Sequence, residues 1–139
     1  MADVHSKEAR SYNMSRIRSK DTKPEEIFRK YLFSHGLRYR KNDKRLPGTP
    51  DIVIKKYNTV IFIHGCFWHM HEGCKYFKYP STNAEWWKMK LHKNKERDEK
   101  KIKELQSKGW NVIIIWECEI KSNSIFIDDK ILNEIRKSR

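Results

Sequence analysis

The 139-residue chain contains no apolar run approaching the roughly 18 residues of a membrane span. Its start, Met1-Ala2-Asp3-Val4-His5, lacks the apolar segment of a secretion signal. The two absences point to a cytoplasmic protein. Cysteine is scarce: Cys66, Cys74 and Cys118 are all there are. An odd count in a reducing compartment argues against a disulfide framework. Negative charge is in deficit too, with 18 Asp+Glu against 31 Lys+Arg and a net charge of +13. That excess favours a polyanionic partner, nucleic acid first, because each phosphate neutralised releases condensed counterion. A basic but merely soluble surface is the plainer reading. An anionic membrane is disfavoured, since no basic stretch has a clean, wide apolar face. The hydrophobic content, 37%, is lean but sufficient for one core.

Residues 1–21 are polar and basic, with Arg10, Arg16, Arg18 and Lys20 around Asn13-Met14. They read as an arm that orders on a partner, or as an ordinary frayed terminus. Thr22-Lys23-Pro24-Glu25 is a capping-box pattern, and Ile27, Phe28, Tyr31 and Leu32 form an apolar stripe ending at Gly36. This predicts a helix of about three turns whose Glu25 leans toward the buried side. Leu37 to Arg40 alternates as a short strand, and Leu46-Pro47-Gly48-Thr49-Pro50 is turn chemistry. Asp51-Ile52-Val53-Ile54 then turns through Tyr57-Asn58 into Thr59-Val60-Ile61-Phe62-Ile63, a β-hairpin with a buried second strand.

A helix over 84–106, closing at Gly109, carries Trp87, Leu91, Ile102 and Leu105 on one face, together with Asn94 and Asp98. Polar groups on a core face need partners, which makes Asp98 a site candidate; a helix salt bridge with Lys101 is the alternative. Val112-Ile113-Ile114-Ile115-Trp116 is the strongest β-branched run and reads as the central strand, delivering Cys118 just past its end. A last helix around 128–137 uses Ile131, Leu132 and Ile135. Helix, three strands, helix, strand, helix predicts a single α/β domain over 22–139, with a mixed central sheet flanked by helices.

The chemistry is concentrated in Gly65-Cys66-Phe67-Trp68-His69-Met70-His71-Glu72-Gly73-Cys74, directly after an apolar strand. Cys66, His71 and Cys74 in the spacing Cys-x4-His-x2-Cys, completed by Cys118, suit a tetrahedral Cys3His zinc site. With four protein ligands and no open position, such a zinc is structural. The plainer reading makes the three cysteines small buried hydrophobes and His71 a surface residue. Phe67 and Trp68, followed by Trp86 and Trp87, suggest exposed rings that stack on or wedge between bases, or else a satellite aromatic core under the loop. Phosphodiester hydrolysis needs a hard cation on oxygen ligands and a base near the attacking water. Asp51 and Glu25 suit the first need and His69 the second, with His64 a further nearby base; His69 could equally be a spare zinc ligand.

Taken in order, Met1 to His5, Arg10-Ser11-Tyr12-Asn13-Met14, Leu46 to Asp51, Ile61 through His64-Gly65-Cys66-Phe67-Trp68-His69, Asn94-Lys95-Glu96-Arg97-Asp98, and Gly109-Trp110 through Trp116-Glu117-Cys118 closely resemble the very short patch repair (Vsr) DNA mismatch endonucleases. The resemblance runs from the first residue to about Glu119. It implies a restriction-endonuclease-like core that nicks DNA on the 5′ side of the thymine in a T:G mismatch left by deamination of 5-methylcytosine. On this resemblance Mg2+ is held by Asp51, the backbone carbonyl of Ile63 and, through water, Glu25. His69, oriented by Asp98, is the general base, with His64 close to the scissile phosphate. Zn2+ sits on Cys66, His71, Cys74 and Cys118. Phe67, Trp68 and Trp87 wedge beside the mismatch from the major groove, and Met14 enters from the minor groove. The resemblance further implies a monomer at the bacterial nucleoid, functional pairing with a cytosine-5 DNA methyltransferase, and contact with mismatch-repair proteins. Many restriction-like nucleases carry an acidic-x-Lys pair where this chain has Phe62-Ile63-His64, which fits a histidine-based mechanism. Two rivals remain: a non-catalytic zinc-containing DNA-binding module, and a restriction-type nuclease cutting matched duplex.

Overall fold

The computed structural model describes residues 22–137 except residue 76. The basic arm 1–21, and with it Met14, lies outside the described residues. The elements are helix α1 (Lys23–Ser34), strands β1 (Arg40–Lys41), β2 (Ile52–Ile54) and β3 (Thr59–His64), helix α2 (Ala84–Ser107), strand β4 (Asn111–Trp116), and helices α3 (Glu117–Lys121) and α4 (Lys130–Arg136). Among the described residues no helix is long and apolar enough to cross a membrane.

The four strands lie in the order β1-β2-β3-β4. β1, β2 and β3 pair antiparallel, while β3 and β4 pair parallel from Thr59↔Asn111 to His64↔Trp116. The sheet is therefore mixed, as expected. One expectation fails: β4 is the last strand of the sheet, and β2 and β3 are the interior strands, buried at every position. The β-branched run misleads because a strand covered by helices on both faces needs apolar side chains throughout, whether or not it has a neighbour on both edges.

The two-residue period of a strand sends alternate side chains to opposite faces. Ile52 and Ile54 of β2, Ile61 and Ile63 of β3, and Ile113 and Ile115 of β4 join one core with Phe28, Leu32, Ile120, Ile131, Leu132 and Ile135. Val53, Val60, Phe62, Val112 and Ile114 join the other, against Leu46, Ile102, Leu105 and Trp110. Thus α1, α3 and α4 cover one face, and α2 the other. Burying one Leu or Ile side chain of this kind contributes roughly 1.5–3 kcal/mol.

α1 starts at the capping box predicted for it: Glu25 N donates to Thr22 Oγ1 at 3.5 Å and Thr22 N to Glu25 Oε2 at 3.3 Å. Ile27, expected in its apolar stripe, is instead 41% exposed. The 3.6-residue period aligns Phe28 and Leu32 with Glu25 and Arg29, all four buried, and leaves Ile27 to one side. The hairpin turns through a 3-10 segment, Lys55–Tyr57, and a left-handed Asn58 (φ 48°). In the loop before β2, Gly48 has φ +76°, and a Cβ there would stand 3.3 Å from the Phe62 ring and 3.2 Å from Lys101 Cβ. Only glycine fits both the backbone angle and the approach. This seats the loop against α2.

Candidate active site and metal centre

β3 ends at His64, whose side chain shares the α2 face of the sheet with Val60 and Phe62 by the two-residue alternation. The chain then turns back on itself: His69 N donates to Gly65 O at 3.1 Å, and His71 N to Cys66 O at 2.9 Å. This return stacks His69 on His64, with ring centroids 3.8 Å apart and planes 7° from parallel. His69 Nδ1 lies 2.5 Å from Asp98 Oδ2 on α2. Asp98 thus finds its partner in the loop and not in Lys101. The contact fixes the imidazole's orientation and leaves Nε2 for another partner. Burial, and secondarily the neighbouring His69, pushes the His64 pKa down to about 4.

Asp51, just before β2, accepts a hydrogen bond from Ile63 N at 2.7 Å. In an extended strand the N–H and C=O of one residue point to the same edge, so the Ile63 carbonyl also faces the Asp51 side. Glu25, 3% exposed in the first turn of α1, has Arg29 Nη1 at 3.6 Å from its Oε2. Burial pushes the Asp51 carboxyl up to about 7; the Ile63 N–H opposes this and the Glu25 carboxylate adds to it. Two carboxyl groups pressed together out of water are what a hard cation on oxygen ligands would relieve.

These groups open onto one cleft of about 490 Å³, lined by Glu25, Asp51, His64, Trp68, His69 and Asp98. Among the further residues on its walls that sequence reasoning did not place there are Asn42, Lys44, Lys101 and Glu117. For Lys101 a signal was present, since it stands three residues after Asp98 on the same helical face. Glu117 follows Trp116, the register partner of His64, so the β3–β4 pairing brings it beside Gly65.

Behind the cleft, the donor atoms of Cys66, His71, Cys74 and Cys118 all lie within 4.8 Å of one another. Cys66 follows β3, and Cys118 follows β4 on the short helix α3, which the sequence did not reveal. His71 Nδ1 is 3.4 Å from Cys118 Sγ, and its ring stacks on Trp116 at 4.0 Å and 5°. None of the cysteines forms a disulfide. Burial pushes the Cys66 thiol up to about 12 and raises Cys118 as well. A nest of thiols and one imidazole without a carboxylate is a soft donor set suited to zinc. A second group within 4.8 Å, His64, His69 and Asp98, is internally satisfied by the His69–Asp98 contact. His69 is therefore no member of the Cys3His set.

Phe67 packs against Trp68 (5.1 Å, 86°) and Trp87 (5.4 Å, 72°), and Trp68 lies 5.8 Å from Trp87. The three rings are half-buried because each covers the other two, an outcome between the exposed pair and the satellite aromatic core that the sequence left open. Trp86, in contrast, is 55% exposed.

Residues 2–75 match the family model described as DNA mismatch endonuclease Vsr. A type II nicking enzyme of Neisseria meningitidis, V.NmeAIP, is 48% identical over 138 residues, covering 98% of both chains. The DNA mismatch endonuclease Vsr of Escherichia coli is 44% identical over 137 residues, 99% of this chain and 87% of its own. V.XorIIP, a type II nicking enzyme of Xanthomonas oryzae, is 44% identical over 86% of this chain and 88% of its own. The chain belongs to the Vsr family. It is accordingly a DNA endonuclease, and the rival reading as a non-catalytic binding module falls. As a Vsr protein it also accounts for the nucleic-acid partner inferred from net charge.

Proposed function

We propose that the chain nicks DNA on the 5′ side of the thymine in T:G mismatches, by Mg2+-assisted hydrolysis with His69 as general base. The observation that carries this reading is the convergence in one cleft of the Asp51–Glu25 carboxyl pair and the His69–Asp98 dyad, 2.5 Å between Nδ1 and Oδ2. Asp51 and the Ile63 carbonyl would hold the cation, with Glu25 reaching it through water. Mg2+ there would neutralise charge on the scissile phosphate and acidify the attacking water. His69, held by Asp98, takes the water's proton at Nε2; general-base catalysis of this kind is worth about 10²–10⁴-fold. His64, kept neutral by its lowered pKa of about 4, offers the phosphate a hydrogen bond and carries no fixed charge.

Cys66, His71, Cys74 and Cys118 would hold a structural Zn2+. Phe67, Trp68 and Trp87, already clustered beside the cleft, suit a wedge against the mismatched step from the major groove. Residues 1–21 would order on the duplex, bringing Met14 to the minor groove, while 22–139 form the endonuclease domain, whose core is of the restriction-endonuclease type. Such an enzyme works as a cytoplasmic monomer at the nucleoid, beside a cytosine-5 methyltransferase whose deaminated products it corrects and alongside mismatch-repair proteins.

The test uses end-labelled T:G and C:G duplexes in a panel of sequence contexts with Mg2+. The wild-type chain should nick only the T-containing strand of T:G. His69→Ala should lose at least about 100-fold in rate while keeping DNA affinity. No nick in any T:G context sinks the mismatch reading, and equal cutting of C:G favours a restriction-type nuclease. Zinc release by His69→Ala would remove its role as base.

A further inference from the structure

We propose that Lys44 and Lys101 form a phosphate clamp on the lining of the cleft, holding backbone phosphates adjacent to the scissile one. The proposal rests on the nicking function argued above and adds residues that position the DNA without entering the chemistry.

The starting point is electrostatic. The cleft walls carry four carboxyl groups, on Glu25, Asp51, Asp98 and Glu117, yet the substrate that must enter is a polyanion. Two lysines line the same cleft, Lys44 and Lys101, and both are exposed. They come from two different elements of the chain. Lys101 stands on α2 one turn beyond Asp98, on the face that looks into the cleft. Lys44 stands on the loop between β1 and β2.

That loop is a fixed wall. Asn42 N donates to Asp51 O at 3.1 Å, Asp43 N to Pro50 O at 3.3 Å, and Thr49 N to Leu46 O at 3.1 Å. Gly48 seats it against α2 so closely that an added Cβ would lie 3.2 Å from Lys101 Cβ. The loop carrying Lys44 therefore keeps a set relation to the helix carrying Lys101.

Neighbouring charges separate these two lysines from other cations. Arg45, next to Lys44, is taken up by Asp43: its Nε donates to Oδ1 and its Nη2 to Oδ2, both at 3.0 Å. Asp98, the helical neighbour that could have neutralised Lys101, is bound to His69 instead. Among the described residues neither lysine has an ion-pair partner. Two uncompensated ammonium groups on flexible stems, lining one acidic cleft, suit phosphate oxygens and carry no base-reading geometry.

The test is the salt dependence of DNA binding, measured by fluorescence anisotropy of T:G and C:G duplexes in Mg2+-free buffer from 50 to 200 mM KCl. It compares wild type, Lys44→Met, Lys101→Met and the double variant, with Lys55→Met at the far end of β2 as a control. Each cleft substitution should make the slope of log K against log[salt] shallower by about 0.9, equally on both duplexes, and the double variant by about twice that. kcat for T:G nicking at saturating DNA should stay within about twofold, because phosphate contacts of this kind position and do not react. Unchanged slopes overturn the proposal. So does a Lys55→Met change as large as the others, which would mean bulk charge alone, or a fall in kcat with the slope intact. Wild-type protein that binds but leaves every T:G duplex uncut would sink the nicking reading, and the slopes, which need no cleavage, report separately on the clamp.

Discussion

Two clusters of ligating side chains sit at the same end of the sheet and share one loop, yet they are built on opposite principles. Cys66, His71, Cys74 and Cys118 bring four soft donors within 4.8 Å of one another with no carboxylate among them. Glu25, Asp51, His69 and Asp98 line an open cleft of about 490 Å³ with oxygen donors and a base. The first arrangement leaves no position for a reactant, and the second is arranged around one. His69 lies between Cys66 and His71 in sequence but turns to the other side, stacking on His64 at 3.8 Å while His71 stacks on Trp116 at 4.0 Å. The Cys/His cluster on one side of a ten-residue loop thus lies back to back with His69 on the other.

The largest expected effect comes from breaking the Cys/His cluster. Cys118→Ser removes the proposed zinc ligand at the end of β4, and structural zinc in small peptides contributes on the order of 10 kcal/mol to folding. For a chain with a lean core this should abolish cooperative thermal unfolding and reduce bound zinc, measured by elemental mass spectrometry, from one ion per chain to none. A Cys118→Ser protein that melts like wild type, with or without zinc, would show that the cysteine cluster is ordinary packing.

The contrast between the clusters also explains how much was legible beforehand. The Cys-x4-His-x2-Cys spacing is local, so the Cys/His cluster was readable and only α3, the five-residue helix presenting Cys118, was hidden. Asp98 could be picked out because a carboxylate on the Trp87–Leu91–Ile102–Leu105 face demanded a partner. That the partner would be His69 depends on the loop's return at Gly65, which no periodicity records. The misassigned strand and Ile27 share a cause. Burial depends on what covers an element from outside it, and neither the β4 run nor the α1 stripe contains that information. Lys44 and Glu117 went unseen because a charged residue in a turn, or just past a strand, looks the same whether it faces water or a cleft.

Asp51 offers a smaller effect that sharpens the difference between the two sites. Its folded pKa of about 7 lies above the ordinary carboxyl value of 3.8. Without divalent cation its contribution to stability is present below the unfolded value and lost as pH rises through about 7. His64, lowered to about 4, runs the other way, contributing stability above the unfolded value that is lost as pH falls through the folded one. The two slopes partly cancel between those limits, so the wild-type profile alone does not isolate either group. The difference from Asp51→Asn does. In Mg2+-free buffer at pH 8 the variant should be more stable than wild type by on the order of 2 kcal/mol, the two should converge near pH 4, and Mg2+ should raise the wild-type melting temperature only. Nicking should be lost at every pH. A variant less stable than wild type at pH 8 would mean that Asp51 is a structural acceptor for Ile63 N and not a destabilised ligand awaiting a cation.

Trp68 gives the smallest effect and tests the boundary between the clusters, since it lies two residues from Cys66 and also lines the cleft. Its ring is half-buried against Phe67 and Trp87, at 5.1 Å and 5.8 Å, so truncation costs packing as well as any stacking on bases. The two losses fall on different observables. Packing loss lowers the melting temperature, and nicking of T:G and affinity for any duplex fall together. A lost wedge instead removes the interaction only an unstacked mismatch can make, worth about 1–3 kcal/mol per base. Trp68→Ala should therefore reduce the preference for T:G over C:G roughly tenfold, while the salt-dependent affinity for matched duplex stays close to wild type. Trp68→Phe, keeping an aromatic face, should recover most of that preference. Equal losses on both duplexes would assign the ring to the Cys/His side, and the aromatic cluster would then belong with the cysteines and not with the cleft.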